Sequence, residues 1–187
     1  MDQQKHKDHP GMGWGRFAAM ILTSTAVMVV LMYQLVHDWD HAYFSLNRLV
    51  ASLMMGCVMV VIMLGFMWPM YQGTTAKIVL LATGLLGAIA LLAVNRSQAL
   101  IDDTAFMRAM IPHHSIAINN ARKARISDPR VRALADQIIA SQVREIEEMR
   151  LLLSDIASHA EQGSGPLPPR SAELTPEMAE EARQVLD

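Results

Sequence analysis

The chain has little cysteine and almost no net charge. Its single cysteine, Cys57, lies in an apolar run, which excludes a disulfide framework, a thiolate cluster and a cysteine nucleophile. With 16 Lys and Arg against 18 Asp and Glu, the formal net charge is -2, so the chain has no basic field that would attract nucleic acid. The sequence therefore predicts neither a thiol enzyme nor a nucleic-acid-binding protein.

Charged residues are missing from three long apolar runs in the first half of the chain. The runs cover residues 17–36, 49–68 and 78–94, and each is close to the roughly 20 residues that a helix needs to cross a bilayer. The first run has no small-residue cleavage site, which favours an uncleaved anchor over a signal peptide. We therefore expect a tail of residues 1–16 followed by a three-span membrane region of residues 17–96, with the lipid bilayer as its partner.

The basic residues that flank the apolar runs predict an orientation. Four lie on the side of the N-terminus and the second loop, and two lie on the opposite side; they are Lys5, Lys7, Arg16 and Lys77 against Arg48 and Arg96. Because short cytoplasmic flanks carry the excess of Lys and Arg, the N-terminus is expected in the cytoplasm. With three spans, the C-terminal domain then lies in the periplasm of a bacterial inner membrane.

Beyond residue 96 the pattern changes to that of an amphipathic helix. This first soluble helix is expected to begin near Asp102 or Asp103, whose carboxylates suit an N-cap, and to continue to about Arg125. Pro112 lies inside it and should kink it.

A second soluble helix follows after a short break. Asp128 is the expected cap, Pro129 occupies the first helical position, and the helix continues to about Ser158. The short break predicts that residues 102–158 fold as an antiparallel helical hairpin, a ferritin-like half bundle. Residues 159–187 are expected to form a linker and a short C-terminal helix. The predicted fold class is all-α, with three transmembrane helices followed by this hairpin.

Metal-ligating side chains occupy a face of the first soluble helix that should be core. At about 100° per residue, this stripe and its flank hold Asp103, Met107, Met110, His113 and His114. The matching stripe of the second helix carries Gln142, Glu145 and Met149. The position of the turn brings the polar interruptions of the two stripes together.

Two interpretations of these facing stripes are open. A buried carboxylate and imidazole cost free energy unless they are paired or bind a metal, so His114 and Glu145 either bond one another while the methionines pack, or contribute to a metal site. Thioethers with imidazole favour copper, with Met and His suited to Cu(I) and His with carboxylate suited to Cu(II). A thioether needs no deprotonation and survives in an oxidising periplasm.

The segments DDTAFMRAMIPHHSIAI and DPRVRALADQIIASQVREIEEM resemble the domain-of-unknown-function family 305, a ferritin-like helical group. The likeness covers about residues 102–156 and extends back to about His37. It implies a helical bundle and periplasmic copper binding through Met and His, here carried to Met107, Met110, His113, His114 and Met149. Family members often have a further Met after the paired His, where this chain has Asn119 and Asn120, so one ligand is absent.

Two weaker metal patterns lie near the spans. One is a methionine ladder at four-residue intervals in the second span, which suits helix packing better than Cu(I) binding. The other is a histidine pair that a helical extension would place on one face. The residues are Met55, Met59, Met63 and Met67 in the ladder and His37 and His41 in the pair.

Copper handling or tolerance is the function that these patterns favour, and a homodimer is expected because a two-helix hairpin buries too little surface to stand alone. The alternative is a membrane scaffold or sensor whose His/Glu pair is structural. A ferritin-like di-iron oxidase is the enzymatic alternative, but such sites use Glu-x-x-His pairs, and Glu145 is followed three residues later by Glu148.

Overall fold

The computed structural model describes residues 13–159, 163 and 165–184, so most of the expected tail of residues 1–16 lies outside the described residues. The described residues form no strand and six α-helices. These are α1 Trp14–Leu31, α2 Leu46–Phe66, α3 Thr74–Ser97, α4 Asp103–Lys123, α5 Pro129–Ser158 and α6 Pro176–Arg183. The predicted all-α fold class is confirmed.

The first three helices are long and apolar enough to cross a membrane. They contain 18, 21 and 24 residues, and their most apolar windows have mean hydropathies of 1.6, 2.5 and 2.4. At about 1.5 Å per residue, even the shortest is about 27 Å long, close to the roughly 30 Å of a hydrocarbon core. The expectation of three membrane-length helices is confirmed.

Helix α1 ends five residues before the apolar run of residues 17–36 does. The guanidinium of Arg48 donates to the carbonyl of Met32, directly after the helix, and lies 4.3 Å from the centre of the Tyr33 ring. Hydropathy marks where the chain is apolar, whereas the end of the helix depends on which groups bond its terminal carbonyls. Here a side chain of α2 donates a hydrogen bond to the carbonyl that follows α1.

The chain forms two compact units, described here separately. The first contains Met1–Gln34 and Phe44–Ala109, and the second contains Leu35–Tyr43 and Met110–Asp187. The division therefore falls inside α4, and the segment that joins α1 to α2 belongs to the second unit.

An aromatic cluster forms the core of the first unit. Tyr71, only 2% exposed, stacks on Trp14 with ring centroids 4.7 Å apart and meets Phe17 edge-on at 5.3 Å. Leu64 is fully buried in the same cluster. Aromatic rings of this size bury large apolar areas, so the cluster ties the N-terminal end of α1 to the segment after α2.

The four methionines of the predicted ladder in α2 have different surroundings. Met63 and Met67 pack against the aromatic cluster, Met59 is half-buried, and Met55 is 47% exposed. Flexible thioethers fill irregular space beside rings, so Met63 and Met67 have a packing role.

Small residues allow α2 and α3 to pack closely. A Cβ placed on Gly84 of α3 would lie 3.1 Å from the carbonyl oxygen of Cys57 and 3.1 Å from a methyl of Val61. By contrast, a Cβ placed on Gly65 of α2 would meet nothing within 4 Å. Gly84 therefore lies where the two helices pack closely, as small residues do between membrane helices.

Replacing Gly84 by valine is expected to destabilise the first unit by about 1–3 kcal/mol, because the backbone of α2 cannot move aside without repacking. Thermal unfolding of the full chain in detergent, followed by far-UV circular dichroism, measures the effect. Gly65→Val is the matched control, and an equal change in the midpoint for both variants would contradict the prediction.

Candidate metal site

Both helices of the hairpin begin at the caps expected from the sequence. Oδ1 of Asp102 accepts from the backbone N–H of Ala105 at 2.7 Å, one turn into α4. Oδ1 of Asp128 accepts from the N–H of Arg130 at 2.9 Å, with Pro129 in the first position of α5. Hydrogen bonds from Arg130 also hold the pKa of Asp128 below its ordinary value. Local capping therefore sets where the hairpin helices begin.

Two side-chain contacts show that α5 runs back along α4. Close to the turn, the guanidinium of Arg132 donates to the carbonyl of Ala121 at 3.0 Å. Farther from the turn, Nε2 of His114 lies 2.7 Å from Oε2 of Glu145. The sequence separation between contacting residues increases with distance from the turn, which is the pattern of an antiparallel pair of helices. Helix α4 continues as one α-helix through Pro112.

His114 is the buried polar group at the centre of this hairpin. It is 8% exposed, and its Nε2 is bonded to Glu145. The other carboxylate oxygen, Oε1, accepts the hydroxyl proton of Ser141, one turn earlier on α5. The hydrogen bonds from Ser141 and then His114 hold the pKa of Glu145 below its ordinary value. Ser141, Glu145 and His114 thus form a short hydrogen-bonded chain between the helices.

The second ring nitrogen of His114 has a different environment. Nδ1 is buried and meets no hydrogen-bond partner among the described residues. An ionised carboxylate only accepts hydrogen bonds, so Nε2 of His114 carries a hydrogen and donates it in a hydrogen bond to Glu145. In the neutral imidazole, Nδ1 then presents a lone pair. A histidine that binds a metal typically donates its other N–H to a carboxylate in this way.

Two methionines occupy the layer next to the His114–Glu145 pair. Met110 lies one turn before His114 on α4, and Met149 lies one turn after Glu145 on α5. Because the helices are antiparallel, these positions face one another across the hairpin. Met149 is 9% exposed and Met110 is half-buried. Two thioethers therefore accompany the buried imidazole.

The other predicted ligands differ in exposure and in the unit to which they belong. His113 is exposed, with its ring centre 6.0 Å from that of His114, and Gln142 is half-buried on α5. Asp103 and Met107 belong to the first unit, where Asp103 is exposed and Met107 is 5% exposed.

His37 and His41 both contact one residue of α4, Ser115, which is fully buried. The backbone N–H of His37 donates to Oγ of Ser115 at 2.8 Å, and Nδ1 of His41 lies 3.0 Å from the same oxygen. The segment is a loop whose only helical part is the 3-10 turn Trp39–His41, so no helical extension places the two histidines on one face. Backbone and hydroxyl groups, rather than a helical face, bring the two histidines together.

The ring of His37 is poorly placed to bind a cation. The guanidinium of Arg122 lies 2.8 Å from its Nε2 and acts as the donor to it. A metal ion at this nitrogen would have to displace that hydrogen bond and lie beside a positive charge. Burial lowers the pKa of the half-buried His41 ring. These contacts support a structural role for the loop Leu35–Tyr43 in the second unit.

Ser115→Ala is expected to weaken this loop. The substitution leaves the amide of His37 and Nδ1 of His41 without their shared partner, a loss of about 1–3 kcal/mol. Hydrogen–deuterium exchange should show protection of the loop amides falling by about tenfold or more. Ser158→Ala, which removes an exposed hydroxyl bonded within its own helix, is the control. Unchanged exchange in the loop of the Ser115 variant would contradict the structural role.

The donor set limits which metals suit the hairpin. Among residues 13–159, 163 and 165–184, no group of three or more His, Cys, Asp or Glu side chains is arranged to hold a metal ion. A di-iron carboxylate centre needs several such groups. A site at His114 must therefore draw on thioethers.

Ser141 and Ser115 were not identified from the sequence. For Ser141 one signal was available, because its hydroxyl lies one turn from the core carboxylate of Glu145. For Ser115 the sequence pattern offers no signal.

Comparisons with known proteins find a family that the C-terminal part of the chain resembles. Residues 103–185 match the family described as Domain of unknown function (DUF305). A protein of Acanthamoeba polyphaga mimivirus, named "Uncharacterized protein L153", is 47% identical over 62 residues, which make up 32% of this chain and 41% of that protein. The matched region thus spans less than half of this curated relative. No solved structure matches the chain.

Proposed function

Because the C-terminal region of the chain belongs to the domain of unknown function 305 family, and because Nδ1 of His114 is buried without a partner, we propose that the hairpin binds copper. The protein would be a membrane-anchored copper-handling or copper-tolerance protein. The observation that carries this proposal is the hydrogen bond from Nε2 of His114 to Glu145, which leaves the lone pair of Nδ1 available to a metal ion.

The residues present fit a soft metal ion. His114 supplies an imidazole nitrogen, and Met110 and Met149 supply thioethers in the adjoining layer. Thioether and imidazole together select Cu(I) over the hard cations that prefer carboxylates. Copper would supply no turnover here; the hairpin would hold the ion.

Glu145 has a different role in this proposal from the one that its sequence position suggested. Its two oxygens are already engaged, one by Ser141 and one by His114. A carboxylate held in this way orients the imidazole and fixes its tautomer instead of coordinating the ion. We therefore assign Glu145 as a positioning residue and Ser141 as the group that holds Glu145.

The three apolar helices support a membrane location for this activity. The excess of flanking Lys and Arg on the N-terminal side argues for a cytoplasmic N-terminus and a periplasmic hairpin in a bacterial inner membrane. In that oxidising compartment thiols are lost to disulfides, and thioether ligands keep their affinity. The chain's single cysteine and 15 methionines suit such a site.

Titration of the purified full chain in detergent tests the proposal. Cu(I), Cu(II), Zn(II) and Fe(II) are each added in competition with a chromophoric chelator, and Cu(I) is expected to bind most tightly with one ion per chain. Failure to take Cu(I) from a weak chelator would leave the His114–Glu145 pair as the structural element of a scaffold or sensor. Tight Fe(II) binding with oxygen uptake would instead support the oxidase alternative.

A further inference from the structure

One face of α5 exposes large apolar side chains on both sides of a polar centre, and this face is called the stripe of α5 here. Leu134, Ile138 and Leu152 are 49%, 39% and 52% exposed, and their spacing places them on one side of the helix. Glu145 lies in the same stripe, with its side chain 36% exposed. Soluble surfaces seldom expose such a row of large apolar groups without a partner.

The hairpin needs a further layer of helix to bury this stripe. Two helices pack along one seam only, and the usual closure of such a pair is a four-helix bundle. A second copy of the same hairpin supplies the missing pair with the same chemistry, and a two-fold interface requires that the stripe be complementary to itself.

The stripe meets that requirement when two α5 helices pair antiparallel about an axis near Gln142 and Val143. In this register Leu134 faces Leu152 of the other copy, so that the exposed leucines cover one another. Charges also match, because Arg130 faces Asp155 of the other copy.

The polar positions near the axis match in the same register. Glu145 faces Ser141 of the other copy rather than a second carboxylate. Ser141 keeps its hydrogen bond to Glu145 of its own copy, and this register avoids the repulsion that two facing carboxylates would cause.

We propose that a second copy of this chain covers the stripe of α5, through an antiparallel α5–α5 contact centred near Gln142. The dimer needs no metal. Its effect on the copper site, where it closes the exposed side of Glu145 and keeps water from the His114 bond, rests on the proposed function.

Cysteine crosslinking of the full chain in detergent tests the contact and its direction. In a Cys57→Ala background, Leu134→Cys and Leu152→Cys chains are mixed in equal amounts and oxidised mildly. The mixture is expected to give a disulfide-linked dimer, because a disulfide requires Cα atoms within about 7 Å. Each variant alone is expected to stay monomeric on a denaturing gel, since equal positions of the two copies lie about 27 Å apart along the helices.

A second measurement follows the unlinked protein. Leu134→Glu/Leu152→Glu is expected to raise the dimer dissociation constant by about 100-fold or more in sedimentation analysis. Leu151→Glu changes a leucine that is 63% exposed on another side of α5 and should leave the dissociation constant unchanged.

Three results would each overturn the proposal: absence of a crosslink in the mixture, crosslinking of either variant with itself, or a monomeric wild-type chain. Copper titration of the wild-type chain keeps the two proposals separate, because a wild-type monomer that still binds Cu(I) overturns only the dimer.

Discussion

His114→Ala is expected to weaken Cu(I) binding by about 100-fold or more. The substitution removes the buried imidazole nitrogen, Nδ1, that would bind the ion. Two thioethers alone hold Cu(I) far less firmly than two thioethers with an imidazole. Each tenfold loss corresponds to about 1.4 kcal/mol. Competition of the full chain in detergent against a chromophoric Cu(I) chelator measures the dissociation constant directly.

His113→Ala is the matched control for this prediction. The neighbouring histidine has the same chemistry and lies in the same helix, but it is exposed. Its removal is expected to change the affinity by less than about tenfold, which is below the roughly 10–100-fold loss typical of groups that hydrogen-bond to a metal ligand. Equal losses in the two variants, with unchanged far-UV circular dichroism, would show that Nδ1 of His114 is not the ligand.

Glu145→Leu is expected to lower Cu(I) affinity by about 10–100-fold, although Glu145 does not touch the ion. Its loss frees the His114 ring to rotate and removes the acceptor for Nε2–H, and removal of such supporting carboxylates usually has this magnitude. The same chelator competition gives the affinity, and circular dichroism checks the fold.

Glu145→Gln distinguishes a positioning residue from a ligand. The amide oxygen of glutamine can still accept from Nε2–H, so most of the affinity should return. A coordinating carboxylate would not be replaced by an amide, and equal losses in the Gln and Leu variants would contradict the positioning role. Ser141→Ala should give a smaller loss, because it acts on His114 only through Glu145.

The stability of the metal-free chain should depend on pH through the same residue. Hydrogen bonds from Ser141 and His114 lower the folded-state pKa of Glu145, so its ionised form stabilises the hairpin above the ordinary carboxyl value of about 4.3. That contribution is lost as the pH falls through the lower folded-state pKa. In the presence of a chelator, the difference in unfolding midpoint between wild type and Glu145→Gln should therefore shrink as the pH falls below about 4. A difference that grows in acid would contradict this sign.

Much of the architecture can be predicted from local sequence. Asp128 followed by Pro129 specifies the start of α5 because a carboxylate cap and a proline at the first position act within one turn. The three apolar helices follow from their length and lack of charge, whatever packs beside them. Where a distant side chain intervenes, local patterns fail, and α1 ends early because Arg48 takes the carbonyl of Met32.

The sequence by itself determined the helices, the caps and the presence of Met, His and carboxylate on facing stripes, because these depend on spacing along one helix. Only the tertiary structure decided which nitrogen of His114 is bonded and which is left, since that depends on a carboxylate 31 residues away. It also decided that Ser141 completes the chain to Glu145 and that His37 and His41 share a contact with Ser115. The single cysteine excluded thiol chemistry from the start, and the fold left one imidazole nitrogen buried without a partner among the described residues.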